Sequence, residues 1–341
     1  MATTFAVPDG RVAMAATTYT GTGATRAVSN AVNTVSFQPD LVWIKDRTTA
    51  YSHILFDTIR GAGNYLISNG TLVETTDTNY MSAFTSTGFS VGTSAVSNGN
   101  TENYVGWQWK AGGTAVSNTA GTITSSVSAN TTAGFSVVTY TGTGANATVG
   151  HGLGVAPGLI LIKARASAYD WTVYHSAIGA TKYLVLDGTS AAGTDTTAFN
   201  NTAPTSTVFS LGSAVWANSG TMVAYCWAPV AGYSAFGSYT GNGSADGTFI
   251  YTGFRPRWLM IKSSSGAFNW FIEDASRNTT NVTGLDLSPN LSDAEANNSP
   301  TFDFLSNGFK LRNTYTSQNG SGSTYIYAAF AENPLKYSNA R

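Results

Sequence analysis

The chain has 341 residues, and only 10% of them are charged: 17 basic against 18 acidic, for a formal net charge of −1. An ordinary soluble domain carries about 25%. Abundant aromatics (12%) with almost no net charge exclude an intrinsically disordered chain. The missing basic excess excludes an electrostatic nucleic-acid binder, and one cysteine, Cys226, excludes an internal disulfide framework.

The first residues, Met1 to Arg11, show no basic segment leading into an apolar one, so no secretory signal is expected there. No apolar run approaches the ~18–20 residues of a membrane helix. The expectation is a protein made in a cytoplasm, without membrane insertion.

A pattern then occurs three times. Tyr-Thr-Gly-x-Gly begins at Tyr19, Tyr140 and Tyr239. A proline standing six residues before a lysine follows: Pro39 and Lys45, Pro157 and Lys163, Pro256 and Lys262. Six residues after each lysine comes an aromatic (Tyr51, Tyr169, Phe268), and two further on His53, Trp171 and Trp270. Twelve residues after the lysines stand Asp57, His175 and Asp274; twenty-four after them stand Asn69, Asp187 and Asp286. Each copy closes on an aromatic strand, ending at Trp109, Trp227 and Phe330. Equal spacing at so many anchors predicts three homologous units, Val12 to Gly112, Phe135 to Ala231 and Tyr233 to Pro334. The corresponding division is 1–112, 113–231 and 232–341, with a Thr/Ser-rich connector over 113–133 that is expected to add strands.

Within the units, short runs of β-branched and aromatic residues are bounded by Gly, Asn and Thr, as at 41–45, 54–56, 65–68 and 89–92. No stretch keeps helical periodicity over three turns. The predicted fold is all-β: three tandem antiparallel β-sandwich repeats, jelly-roll or lectin-like. The Tyr-Thr-Gly-x-Gly segments predict strands entering turns with positive φ. Lys45, Lys163 and Lys262, at the ends of apolar strands, are expected to lay their stems on apolar surface and reach water with the amine.

Chemical motifs are thin. His53, His151 and His175 have no metal-ligand spacing, so neither a metal nor a cofactor is expected. No nucleophile elbow is present, and Cys226 lies in an aromatic strand, where a buried inert thiol is expected. The acidic residues show no glycosidase arrangement. No catalytic residue is assigned, and the chain is read as not an enzyme. Asp57 with Arg60, and Asp274 with Arg277, read as local ion pairs that pin a turn; a shared ligand contact is the alternative. Trp43, Trp107, Trp109 and Trp227 read as core, whereas Trp216, Tyr80 and Tyr315 lie in polar loops and are the candidates for surface or glycan contact.

The strings PDLVWIKDR, ILFDTIRGAGNYL, WQWKAGG, GHGLGVAPGLILIK, YCWAPVAGYSAFGSYTGNG, GFRPRWLMIK, SNGFKLRN and YIYAAFAENPLKYSNAR resemble a family of marine bacteriophage virion proteins with tandem copies of a β-rich domain, labelled structural or tail-fibre-like. The resemblance covers nearly the whole chain. It implies a virion protein made in the infected host cytoplasm, with other virion proteins as partners. Three functions follow in order: a tail fibre or receptor-binding appendage contacting host-surface glycan; a capsid decoration or head-fibre protein; a polysaccharide depolymerase. By analogy with such appendages a homo-oligomer is expected, a trimer being the common choice for fibres.

Overall fold

A computed structural model describes residues 5–331; the end of the third predicted unit, Pro334, and the rest of the C-terminal tail lie outside them, as do the first four residues. Every pairing between its named strands is antiparallel, and the helices are single turns. No helix among the described residues is long and apolar enough to cross a membrane.

One strand order is met three times. In the first unit a large sheet runs Met14–Thr20, Asn103–Trp109, Leu41–Asp46, Ile54–Asp57, Asn64–Ile67 and Thr75–Thr76. In the second, Phe135–Thr143, Ser219–Trp227, Leu159–Ala164, Thr172–His175, Lys182–Val185 and Gly193–Thr194 take those places. In the third, Ser234–Thr240, Thr324–Ala331, Pro256–Ser263 and Trp270–Asp274 do so. The connector adds Val116–Asn118 and Ser125–Asn130 to the edge of the second sheet, as its weak alternation predicted.

A small outer sheet backs each large one: Arg26–Ser29, Gly88–Val91 and Met81–Thr85 in the first unit; Ala147–Gly150 with Val208–Leu211 in the second; Phe249–Tyr251, Gly308–Leu311 and Phe302–Leu305 in the third. In the central strands both faces are buried, which is why LVWIK, LILIK and WLMIK read as unbroken apolar runs. One face, with Val42, Ile44 and Phe56 in the first unit, packs on the outer sheet's Val28, Phe89 and Val91. The other face joins a core shared by all three units. At its centre Trp109 meets Trp227 and Phe330, each with ring centroids 5.7 Å away, and Trp258 at 5.4 Å. The three closing aromatics of the repeat thus hold the units together.

The repeated turn uses its glycines differently from one another. Gly23, Gly144 and Gly243 have φ near +70°, as expected. Gly21, Gly142 and Gly241 are there for space: a Cβ would lie 2.1, 2.3 and 2.4 Å from the backbone of residues 99, 218 and 320. That backbone comes close because Asn98, Asn218 and Asn319 each spend a side-chain amide on two carbonyls of the neighbouring loops and accept a backbone N–H from the glycine-rich turn. Tyr19, Tyr140 and Tyr239 lock the same corner, their hydroxyls donating to Ser97, Ala217 and Gln318 carbonyls, all at 2.7 Å.

Contacts between the units close a ring. Backbone N–H groups of Glu74, Ala192 and Glu295, in one loop of the first, second and third unit, donate to the carbonyls of Arg165, Ser264 and Arg47 at 2.8, 3.0 and 2.9 Å. The first unit therefore grips the second, the second the third, and the third the first.

Candidate functional site

The Asp–Arg pairs belong to these seams. Asp57 and Arg60 have no exposed side-chain surface and pair Oδ2 to Nε. Arg60 reaches on to Glu74 at 3.1 Å, and Glu74 takes Arg165 of the second unit at 2.7 Å. The Tyr225 hydroxyl, also from the second unit, donates to Asp57 at 2.8 Å. Asp274 and Arg277 repeat this with Glu295 and with Arg47 of the first unit, and Trp107 Nε1 donates to Asp274 at 2.9 Å. Burial alone would raise the Asp274 pKa; the Arg277 guanidinium and the Trp107 donor hold it below the ordinary carboxylate value. Burial opposes the charge of Arg60 as well, and Asp57, Tyr225 and Glu74 override it, so that its pKa is raised. Such fully buried, mutually neutralised groups are pins of the fold, not ligand contacts.

The three lysines depart from the sequence expectation. Lys45, Lys163 and Lys262 have no exposed surface at all, so their amines do not reach water. The neighbouring unit supplies a carbonyl to Lys163 and to Lys262, and in all three the ammonium is held by carbonyls. Lys163 Nζ donates to Thr71 O of the first unit and Tyr169 O, and Lys262 Nζ to Thr189 O of the second unit, Ser263 O and Gly266 O. Lys45 Nζ donates to Asp46 O and Thr49 O. Burial lowers each of these pKa values to about 8.

The histidines are structural too. His53 accepts from Trp43 Nε1 at 3.0 Å and stacks on Trp107, as its aromatic counterparts suggested. His151 accepts from the Leu153 N–H within its tight turn, and His175 contacts the Tyr327 carbonyl of the third unit at 3.0 Å. Burial pushes the Cys226 thiol pKa well up. Among the described residues no three His, Cys, Asp or Glu side chains gather as a metal-binding group.

One anchor moves. The residue accepting the Trp171 and His53 backbone N–H groups is Asp187 and Asn69, but for Trp270 it is Asn290, not Asp286. The strand partner of Ile272 is Leu287, twenty-five residues after its lysine, whereas the corresponding Leu66 and Leu184 follow theirs by twenty-one. The third unit thus carries four extra residues between Arg277 and Leu287. Equal counting from the lysine steps over this insertion.

Of the loop aromatics, Trp216 lies in the most suggestive surroundings. It sits in the single-turn helix Val215–Asn218, half-buried, its ring 6.4 Å from that of Tyr183. Together with Asp170, Thr172 and Val185 these two rings line a pocket of about 140 Å³. Trp216 Nε1 and Thr172 Oγ1, on two of the lining residues, are buried behind the pocket wall without a hydrogen-bond partner. Two aromatic rings beside a carboxylate and a short hydroxyl-bearing side chain give the pocket a mixed apolar and polar lining. Tyr80 is half-buried against Tyr65, with centroids 4.7 Å apart, and that pair occupies in the first unit the region that Tyr183 and Trp216 occupy in the second. Tyr315 is 45% exposed at the head of the turn Thr316–Asn319. The three sequence candidates thus fall in three different units. Sequence reading missed Tyr183 and Thr172 because both lie on strands, where alternation reads them as packing residues.

These features define an all-β protein of antiparallel sheets around a common core, with an aromatic-walled pocket on its second unit. The chain belongs to the family described as a domain of unknown function, DUF7483, whose model matches residues 12–334, a span that takes in all three strand sets at once. The comparisons with curated proteins and with solved structures return no match.

Proposed function

We propose that the protein is a bacteriophage virion component, a tail fibre or receptor-binding appendage, that contacts host-surface glycan at the Trp216 pocket. The resemblance of the sequence strings to those of phage virion proteins supports the setting. The observation that carries the glycan reading is a pocket walled by two aromatic rings, Trp216 and Tyr183, with the Asp170 carboxylate in its lining. A sugar offers apolar C–H faces for the rings and hydroxyls for the carboxylate. Trp216→Ala is expected to reduce adsorption of virions to host cells about tenfold or more while costing about 1 kcal/mol of stability, since the ring is only half-buried. Undiminished adsorption by particles that carry the folded variant refutes the pocket's role.

The ring of three similar units favours a second reading, capsid decoration. A chain with three units around one centre can meet a three-fold position on a shell as a monomer, without the homotrimer expected from sequence. Labelled antibody on intact virions separates the two readings: hundreds of copies over the head mean decoration, a handful at the tail mean an appendage.

A further inference from the structure

The four extra residues of the third unit build something. The loop they enlarge contributes Thr279, Thr280 and Asn281 to one wall of a cleft of about 680 Å³, and Arg255, Ser306 and Asn307 line it as well. That volume lies within the range of ~300–1,000 Å³ typical of ligand clefts. The wall is fixed: Asn281 Nδ2 donates to the Phe304 carbonyl and its Oδ1 accepts from the Phe304 N–H, both at 3.0 Å. The polar lining is mostly hydroxyls and amides, which both donate and accept, with the donor-only guanidinium of Arg255 among them.

Beside the cleft stands an aromatic platform peculiar to this unit. Tyr251 is 66% exposed, on the outer face of the edge strand Phe249–Tyr251. The residues that follow it are tied to the cleft, because the N–H groups of Thr252 and Gly253 donate to the Asn307 carbonyl at 3.0 and 3.1 Å. Register against the neighbouring strand places Phe249 and Tyr251 level with Ala27 and Ser29 of the first unit and with Thr148 and Gly150 of the second. Only the third unit has aromatics at these outward positions. Exposed aromatic patches rimmed by polar groups mark interaction sites, and here two such rings lie in the unit that carries the four-residue insertion.

We propose that the cleft between the 278–283 loop and the 304–307 turn binds an oligosaccharide, with Tyr251 as the ring on which one sugar stacks. This site shares a ligand class with the Trp216 pocket but none of its residues, so each can fail alone. The test is binding of the full chain to an array of bacterial O-antigen and capsular oligosaccharides, neutral and uronic, followed by saturation-transfer NMR on the glycans retained. Tyr251→Ala, at an exposed position, and Thr280→Trp, which fills the cleft from an exposed loop, are each expected to lower affinity for at least one glycan tenfold. Trp216→Ala is expected to leave that glycan bound. An array whose every hit is lost with Trp216→Ala and survives both other substitutions overturns this inference and leaves the Trp216 pocket standing. An array without any hit also overturns it. Glycan resonances saturated in the parent chain and silent in Thr280→Trp, at unchanged melting temperature, establish the cleft as the site.

Discussion

Two of the three seams carry a buried Asp–Arg–Glu cluster and one does not, although the fold is the same at each. Between the first and second units stand Asp57, Arg60 and Glu74, facing Arg165 and Tyr225; between the third and first stand Asp274, Arg277 and Glu295, facing Arg47 and Trp107. Between the second and third the corresponding residues are His175, Ile178 and Ala192, facing Ser264 and Ala328. All five positions change together. A buried carboxylate needs donors from both sides of a seam. Ala328 has no polar side-chain atom to offer where Tyr225 and Trp107 have one, so a carboxylate there would be short of a partner. A neutral histidine is satisfied by the Tyr327 carbonyl on one ring nitrogen and the Ala177 N–H on the other, and burial lowers its pKa to about 4, which keeps it neutral. The ion pairs are thus one of two self-consistent solutions that the three seams use.

The sharpest way to break this contrast is to remove one charge. Arg60→Ala leaves Asp57 buried without its cation and is expected to cost about 3–5 kcal/mol. Ile178→Ala, the same position in the seam without the cluster, removes only part of a half-buried apolar side chain, about 1–2 kcal/mol. Urea melts of both variants decide it, and equal losses would mean that the pair contributes no more than its packing. Next in size, Tyr225→Phe deletes the hydroxyl shared by Asp57 and Arg60 at an expected cost of about 1–3 kcal/mol. A melting temperature unchanged by that substitution would refute the cross-seam bond.

The smallest effect per residue and per pH unit comes from the lysines of all three seams. Burial depresses these ammonium pKa values to about 8, below the 10.5 of an unfolded chain. Between those values the unfolded state binds more protons, so stability should rise with pH, by at most about 1.4 kcal/mol per lysine per pH unit. Above about pH 10 the trend reverses, because unfolded tyrosines ionise while burial keeps Tyr19, Tyr140 and Tyr239 protonated. Thermal melts from pH 7 to pH 9.5 should show the rise; a monotonic fall would mean that the lysines are hydrated.

Much of the sheet architecture was legible because periodicity and the repeated anchors both lie along the strands. Trp43, Trp107, Trp109 and Trp227 are core, and the sequence segments 41–45 and 54–56 are strands with one residue added at the end. Contacts between units were not legible. A repeat reveals which residues are equivalent, not which face of one copy meets which face of the next. Lys45, Lys163 and Lys262 were misread for that reason: within one unit each looks like a strand-end lysine with water beyond it, and for Lys163 and Lys262 the neighbouring unit supplies a carbonyl. Trp216 was singled out because it lies between polar segments, which read as a loop; the structure places it in a single-turn helix. Tyr251 was passed over because it alternates with the buried Ile250 as any core strand would. Asn98, Asn218 and Asn319 left a visible trace, an asparagine recurring after each outer-sheet strand, but in a chain this rich in asparagine the trace does not stand out.

The closed ring has a consequence for cooperativity. In an open array of repeats each end unit has one neighbour, so ends fray and stability grows by increments along the chain. Here every unit has two neighbours, and all three meet at Trp109, Trp227, Trp258 and Phe330. Cutting away any one of them opens two interfaces at once and exposes the tryptophan cluster to water. The molecule has no expendable end, and its denaturation belongs to the all-or-none kind rather than to a staircase.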